Sequence, residues 1–396
     1  MNIIFFTIFP FNREYALKYG FDVLEKKGFN VIVLNVFHIY YPEIVNKLPQ
    51  HYSLLKPVAG VDQISIRSEN DLREYLNNLH GRKIAMLVMS FNIRLLRILK
   101  YANVNYIILR FRSHPIPKQK TFLNRLKRFL KDKPTNVFYK IINKNEVYFA
   151  CKFPLLFGIN YPSYFVTTQI KHRLDLPKNS KTKTIYIHSL DFDRYLRNKN
   201  KPRPVNIQNE KYFIFIANNP WGDRDHVFSG YNTKISRSYY MNIINQFFDF
   251  IEELTGIHVV IAAHPKYTEE DNVYNGRSFL RDTEQLIKYS SGVFLHYSSA
   301  VSFAVIHKKP VCFISTDKMK QDMHIHGFIS VFAEELKSKI YYIDRKEDLR
   351  CMKDNGIFSY NQNAYSYYSR KYIKPFNTSD RLLWNIMADT FLKESI

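Results

Sequence analysis

Glycine is scarce, with 12 copies in 396 residues. That excludes a collagen-like repeat, a linker-rich chain and an architecture built on glycine-rich phosphate loops. Cysteine is rarer still. Cys151, Cys312 and Cys351 stand far apart and show no C-x-x-C spacing. They supply neither a disulfide framework nor a zinc site, and they suit a reducing compartment. No apolar run approaches the ~18 residues needed to span a membrane. The opening stretch, Asn2-Ile3-Ile4-Phe5-Phe6-Thr7-Ile8-Phe9, has no basic leader and no small-residue cleavage site. It reads as a first buried strand rather than a signal peptide, so a cytoplasmic location is expected. Acidic residues are in deficit, 35 against 58 Lys and Arg, which leaves a formal net charge of +23.

What is present is an apolar, aromatic chain. Apolar residues make up 46%, with 32 Phe and 29 Tyr. Such a chain is globular, not disordered, and is long enough for two well-filled domains. The surplus of cations anticipates an anionic partner: nucleic acid, an acidic membrane surface, or phosphorylated and carboxylated substrates.

Hydrophobic periodicity alternates between strand and helix along most of the chain. Strands are predicted at 3–9, 30–36, 64–66, 84–88 and 106–109, with helices at 13–27, 69–79 and 93–101 between them. This series predicts a mostly parallel sheet covered by helices. Residues 110–140 break the pattern, with ten Lys or Arg against one Asp. Within them, 121–133 forms a basic amphipathic helix with Phe122, Leu126 and Phe129 on one face. The alternation resumes at 164–168 and 184–188. The polar, two-proline stretch 197–204 is the best linker candidate. A second α/β unit follows, with strands at 212–217, 258–263, 292–295, 311–314 and 340–343. Its helices are expected at 238–254, 282–289 and 299–307, and a last helix at 381–393. The expected division is a first domain over 1–204 with the basic insertion at about 110–140, a second over 205–365, and a helical tail over 366–396 that packs back on the first domain. Two Rossmann-like αβα domains facing across a cleft resemble the GT-B glycosyltransferase plan, which implies that 1–204 binds the acceptor and 205–365 the nucleotide sugar.

The chemistry concentrates at two predicted strand ends. The apolar run Val259-Val260-Ile261-Ala262-Ala263 delivers His264-Pro265-Lys266, and Gly292-Val293-Phe294-Leu295 delivers His296-Tyr297-Ser298-Ser299-Ala300. Imidazole, ammonium and hydroxyl groups beside a helix start are suited to holding a phosphate. Arg277 offers a forked donor pair for a carboxylate or phosphate. Asp223 and Asp225 follow the 212–217 strand and so project toward the same end of the sheet. Bland readings stand beside these: N-capping for Ser298 and Ser299, solvated cations for Lys266 and Arg277, a polar turn around Gly222 for the two aspartates, and a helix N-cap for Asp317.

The segment His264-Pro265, then Ser298-Ser299-Ala300-Val301-Ser302-Phe303-Ala304 and Lys309-Pro310, resembles a bacterial surface-polysaccharide family. Its relatives include the retaining β-Kdo transferases and, more remotely, the bacterial sialyltransferases. Ile187-His188-Ser189-Leu190-Asp191-Phe192-Asp193 and Tyr239-Tyr240 are similar to further segments of that family. The likeness runs from about 185 to 317 and is only architectural over 1–160. It implies a metal-independent glycosyltransferase that moves a Kdo- or nonulosonate-type sugar from a CMP donor to a surface or lipid-linked glycan. No cofactor is implied beyond that donor substrate. By the same likeness His264, Pro265, Lys266, Arg277, Tyr297, Ser298 and Ser299 serve the donor. Asp225, or else Asp223, is the catalytic carboxylate, with His264 assisting the leaving group. This chain has Ala217 or Asn218 where the family carries a further acid.

Arg13 and Glu14 are expected to face the acceptor. The 121–133 helix can lie on an anionic membrane at the inner face of the cytoplasmic membrane, or pack on the first domain. The D-x-D pairs 191–193 and 223–225 could suggest a metal, and so could His324 and His326, but the two-domain plan disfavours a metal and 324–326 is expected in a loop. Two alternatives remain: a UDP- or CDP-linked donor on the same fold, and a basic nucleic-acid binder without a compact basic-aromatic motif.

Overall fold

The computed structural model describes residues 1–396 except 9–10, 12, 41–62, 89–91, 112–113, 118–149, 151–152, 169–181, 205–206, 208–210, 222–232, 264–272 and 394–396. The basic segment 121–133 and Cys151 therefore lie outside the described residues. The chain divides into two compact units. The first comprises 1–112, 119–190 and 377–396, and the second 113–118 and 191–376.

The first unit holds a seven-stranded parallel sheet in the order β3-β2-β1-β4-β5-β6-β7. Its strands are β1 (Asn2–Thr7), β2 (Asn30–Asn35), β3 (Gln63–Ser65), β4 (Lys83–Leu87), β5 (Asn105–Arg110), β6 (Tyr164–Thr167) and β7 (Lys183–Tyr186). Ile3, Ile4, Phe5 and Phe6 are all fully buried. An unbroken apolar run is what a central parallel strand, covered on both faces, requires. Helix Glu69–Asn78 starts at a capping box formed by Ser68 and Asp71, the reciprocal bonding that satisfies two otherwise orphaned N–H groups.

The helix predicted over 13–27 is in fact two, Arg13–Lys18 and Phe21–Lys26. The break is at Gly20, where φ is 69° and a Cβ would sit 2.0 Å from the ring of Trp384. Trp384 belongs to helix Leu383–Lys393, whose Leu383, Met387 and Phe391 join Phe5, Phe21 and Leu24 in the core of the first unit. The indole N–H of Trp384 donates to the carbonyl of Lys18 at 3.0 Å.

The second unit holds six parallel strands in the order β10-β9-β8-β11-β12-β13. They are β8 (Tyr212–Ile216), β9 (His258–Ala262), β10 (Phe279–Leu280), β11 (Gly292–Leu295), β12 (Val311–Ser315) and β13 (Ile340–Tyr342). The short β10 has no counterpart in the sequence reading. Two residues are too few to show a periodicity, and its pairing with β9 defines it. The long helix Arg237–Thr255 buries Tyr240, Ile244, Phe247, Phe248 and Ile251 against the sheet. It ends at Gly256, whose φ of 66° closes the helix in the left-handed form.

Residues 197–204 lie within this second unit. The Asn198 amide donates to Glu284 at 2.7 Å, Lys288 reaches the carbonyls of Lys199 and Lys201, and Arg203 covers the rings of Tyr212 and Tyr289. Residues 324–326, expected in a loop, belong to helix Met323–Glu335. Asp322 caps it by accepting from the N–H groups of His324 and Ile325.

Candidate functional site

The order of the second sheet places a topological switch between β8 and β11. From β8 the chain builds outward through β9 and β10. It then crosses back to lay β11 on the other side of β8 and continues to β12 and β13. In open parallel sheets the crevice at the carboxyl ends of two such strands is where ligands sit, because the following loops diverge there. The loop after β11 begins at His296, and the loop after β8 leads to Asp223 and Asp225. β9 ends next door, and the N–H of Ala263, one residue before His264, is still paired with the carbonyl of Leu280 at 2.8 Å. Asp223, Asp225, His264, Pro265 and Lys266 themselves lie outside the described residues. The flanking strands carry the chain to this edge of the sheet.

His296 is not presented to solvent as the sequence suggested. It is fully buried. Its Nδ1 donates to the carbonyl of Ile314 at 2.7 Å, and its Nε2 accepts from the Tyr240 hydroxyl at 2.6 Å. A carbonyl can only accept, so Nδ1 carries a proton. Burial pushes the ring's pKa down to about 4, which leaves Nε2 bare at neutral pH. The ring meets Phe215 edge-on, and Tyr240 in turn carries Trp221. His296 thus ties the end of β11 to β12 and to the long helix. It fixes where the next three residues stand.

Those residues form a tight turn. Tyr297 stacks on Phe328 of helix Met323–Glu335, with centroids 5.4 Å apart. The Ser298 hydroxyl accepts from the N–H of Ala300 at 3.2 Å. The carbonyls of Ser298 and Ser299 accept from Val301 and Ser302. Ser299 is exposed. Helix Val301–Ile306 follows, and its N-cap position, Ala300, makes no side-chain cap bond. The Ser298 hydroxyl thus satisfies an N–H at the start of this helix, the capping-type contact of the bland reading, while Ser299 makes no such bond among the described residues.

Arg277 is placed elsewhere, as a correction to its expected donor role. Its side chain is only 9% exposed. It donates through Nε and one terminal nitrogen to Glu252 at 3.1 and 2.7 Å, pairs with Asp249, and lies over the ring of Phe248. Glu252 also accepts from the N–H of Val259, near the start of β9. The guanidinium therefore serves the amino end of the strand, not its carboxyl end, and these carboxylates raise its already high pKa despite burial. Arg13 is exposed at the start of helix Arg13–Lys18, and Glu14 is the next residue of that helix. Arg13 is not brought to a constellation of polar groups among the described residues, and the side chain of Glu14 is not among those described.

A second cluster gathers at the carboxyl ends of β12 and β13, and sequence reasoning missed most of it. The N–H of Asp317 and the Tyr239 hydroxyl both donate to Asp344 Oδ2, at 2.9 and 3.1 Å. Arg345 pairs with Asp317 and holds that carboxyl below its usual range. Lys318 stands 3.8 Å from the centre of the Tyr239 ring. Thr316, not Asp317, caps the helix that begins there. Tyr239 sits in a helix 105 residues upstream of its hydrogen-bond partner Asp344, and no local pattern could have signalled that meeting. Asp193, from the first D-x-D pair, is buried and bonds Arg197 one helical turn on.

Two parallel sheets with covering helices define an α/β fold of the GT-B type. The solved structures that share it include a histidine variant of the wall teichoic acid polymerase TagF. That match has a TM-score of 0.53 at 14% identity over 100% of this chain and 89% of that one. The same variant soaked with CDPG matches with a TM-score of 0.51, at 13% identity over 100% and 89%. The spinosyn forosaminyltransferase SpnP matches with a TM-score of 0.48, at 12% identity over 99% of both chains. No family model matches the sequence, and no curated protein matches it.

Proposed function

We propose that this chain is a glycosyltransferase that moves an acidic ulosonic sugar, of Kdo or nonulosonate type, from a CMP-activated donor to a surface or lipid-linked glycan. The observation that carries the reading is the switch point of the second sheet. Strands β9, β8 and β11 are neighbours there, and in the sequence the segments with His264–Lys266, with Asp223 and Asp225, and with Tyr297–Ser299 follow them. In this reading Ser298 and Ser299 face the donor phosphate, and Lys266 contributes a compact positive charge. The bond that breaks joins the anomeric carbon of the sugar to the phosphate of CMP. The electron pair leaves with the phosphate, and His264 donates a proton or hydrogen bond to it. The bond that forms joins the same carbon to an acceptor oxygen. Asp225, or else Asp223, takes the acceptor proton if the outcome is inversion, or forms the intermediate ester if it is retention. Protein cations meet the charge of the leaving group, so no metal is assigned a role.

A second reading keeps the chemistry and changes the donor to a CDP-linked one. It is supported by the likeness to the TagF structure soaked with CDPG. Thermal shift with CMP, CDP and UDP separates the two. CMP at about 100 times its Kd should stabilise the protein by about 2.7 kcal/mol. Stabilisation by CDP or UDP with none by CMP would reject the CMP donor. With a CMP-sugar, Asp225→Ala is expected to cut CMP release by at least ~100-fold while leaving CMP binding intact. Unchanged turnover in both Asp225→Ala and Asp223→Ala would sink the carboxylate assignment.

A further inference from the structure

One corner of the first unit is built to present apolar side chains to the outside. Residues Pro154–Phe157 form a single 3-10 turn. Leu155 and Leu156 at its apex are 64% and 83% exposed, and Phe153 before them is 47% exposed. The turn is held firmly. Pro154 is buried and occupies its first position, and Gly158 closes it with φ 68°. The N–H of Leu156 donates to Phe153, Gly158 to Leu155 and Ile159 to Pro154, each at 3.1 Å. Arg97 Nε donates to the carbonyl of Phe157 at 2.9 Å. Two leucines on a frayed loop would need no explanation, but two leucines on a braced turn form a fixed apolar projection.

Cations predominate on the helix face beside it, with Glu69 the acidic partner of one of them. Arg97 lies in helix Ile93–Tyr101, whose outward residues are Arg94, Arg97, Lys100 and Tyr101. Arg94 and Lys100 stand one turn to either side of Arg97 on the same face. Arg94 shares its charge with Glu69 at 3.4 Å and is still 70% exposed. Neither 92–105 nor 150–163, the two stretches that make this corner, contains an Asp or Glu. Tyr101 is 79% exposed, and tyrosine is the residue type that settles at the boundary between headgroups and acyl chains. Among the described residues no helix is long and apolar enough to cross a membrane. Leucines that dip below the headgroups and cations that stay level with them are the two components of reversible attachment to an anionic bilayer.

We infer that the Phe153–Phe157 turn and the basic face of helix Ile93–Tyr101 together dock the protein on an anionic phospholipid surface. This does not depend on the donor or on the proposed reaction. The test is co-sedimentation of the full chain with vesicles of phosphatidylglycerol and phosphatidylcholine, and with phosphatidylcholine alone. Binding is expected with the anionic vesicles and should fall with salt. Leu155→Ser/Leu156→Ser should weaken it roughly tenfold or more, and Arg94→Gln/Lys100→Gln by about fivefold per cation. All four side chains are exposed, so thermal midpoints should stay unchanged. Wild-type binding that survives both double variants would overturn the assignment, as would no binding to anionic vesicles at all. Loss of a dimer in Leu155→Ser/Leu156→Ser, with vesicle binding unaltered, would assign the projection to a second copy of the chain instead.

Discussion

At the scale of single residues, two side chains that looked functional turn out to hold the frame. His296 is legible in the sequence as a histidine at a strand end. What the sequence cannot show is that Tyr240, 56 positions away, supplies a hydroxyl to its second nitrogen. Tyr240→Phe removes that donor and leaves a buried acceptor without it. A loss of about 1–3 kcal/mol in chemical denaturation is expected. The neutral ring also sets a pH dependence. The folded pKa of about 4 lies below the ordinary 6.5, so between these values the unfolded chain takes up a proton that the folded one does not. Stability is therefore full above pH 6.5 and declines as pH falls toward 4, by on the order of 3 kcal/mol for this group. His296→Gln should flatten that part of the profile in denaturation series run between pH 4 and 7. Arg277 teaches the same lesson. Its fork suits a carboxylate, and it has found two within the chain. Arg277→Ala is expected to cost about 2 kcal/mol of stability and to leave the KM for the donor within about twofold. A large rise in KM with unchanged stability would return it to the site.

At the scale of elements, most of the strand series was readable because buried parallel strands are continuous apolar runs, and here they sit between amphipathic helices. The failures have local physical causes. The 13–27 segment has helical periodicity throughout, and only the ring of Trp384, 364 residues further on, shows why Gly20 must interrupt it. Gly20 and Gly256 both have positive φ, 69° and 66°, but a side chain at Gly256 would meet nothing within 4 Å. Gly256→Ala should therefore cost only ~1 kcal/mol, whereas Gly20→Ala adds a collision with Trp384 and should cost at least ~3 kcal/mol. Equal thermal midpoints for the two variants would show that the indole yields. The 324–326 stretch looked like a loop because two histidines obscure a helix whose apolar residues, Ile325, Ile329 and Phe332, are properly spaced and buried. The candidate site was legible at its strand ends and illegible at its edges. The cluster of Tyr239, Asp317, Asp344 and Arg345 is assembled by tertiary contacts alone.

At the scale of the whole molecule, each of the two units has its own sheet and its own core, and the chain returns from the second to the first at 376–377. That return matters for stability. Helix Leu383–Lys393 contributes Leu383, Trp384, Met387, Ala388 and Phe391, all fully buried, to the core of the first unit. Lys27 and Arg381 both pair with Asp389 at its surface. Removing residues 377–396 takes away more apolar area than the margin of stability of a domain can absorb. Limited proteolysis of that truncation should digest the first unit rapidly and leave a resistant fragment that starts near residue 191. Equal resistance of both halves would show the helix to be dispensable.

The placement of that helix also dictates an order of events during synthesis. All seven strands of the first sheet leave the ribosome before any strand of the second, yet the side chains that seal it emerge only after residue 376. The usual sequence, in which the amino-terminal domain is finished first, is reversed: the second unit can close while the first still waits, half-covered, for residues 383–391.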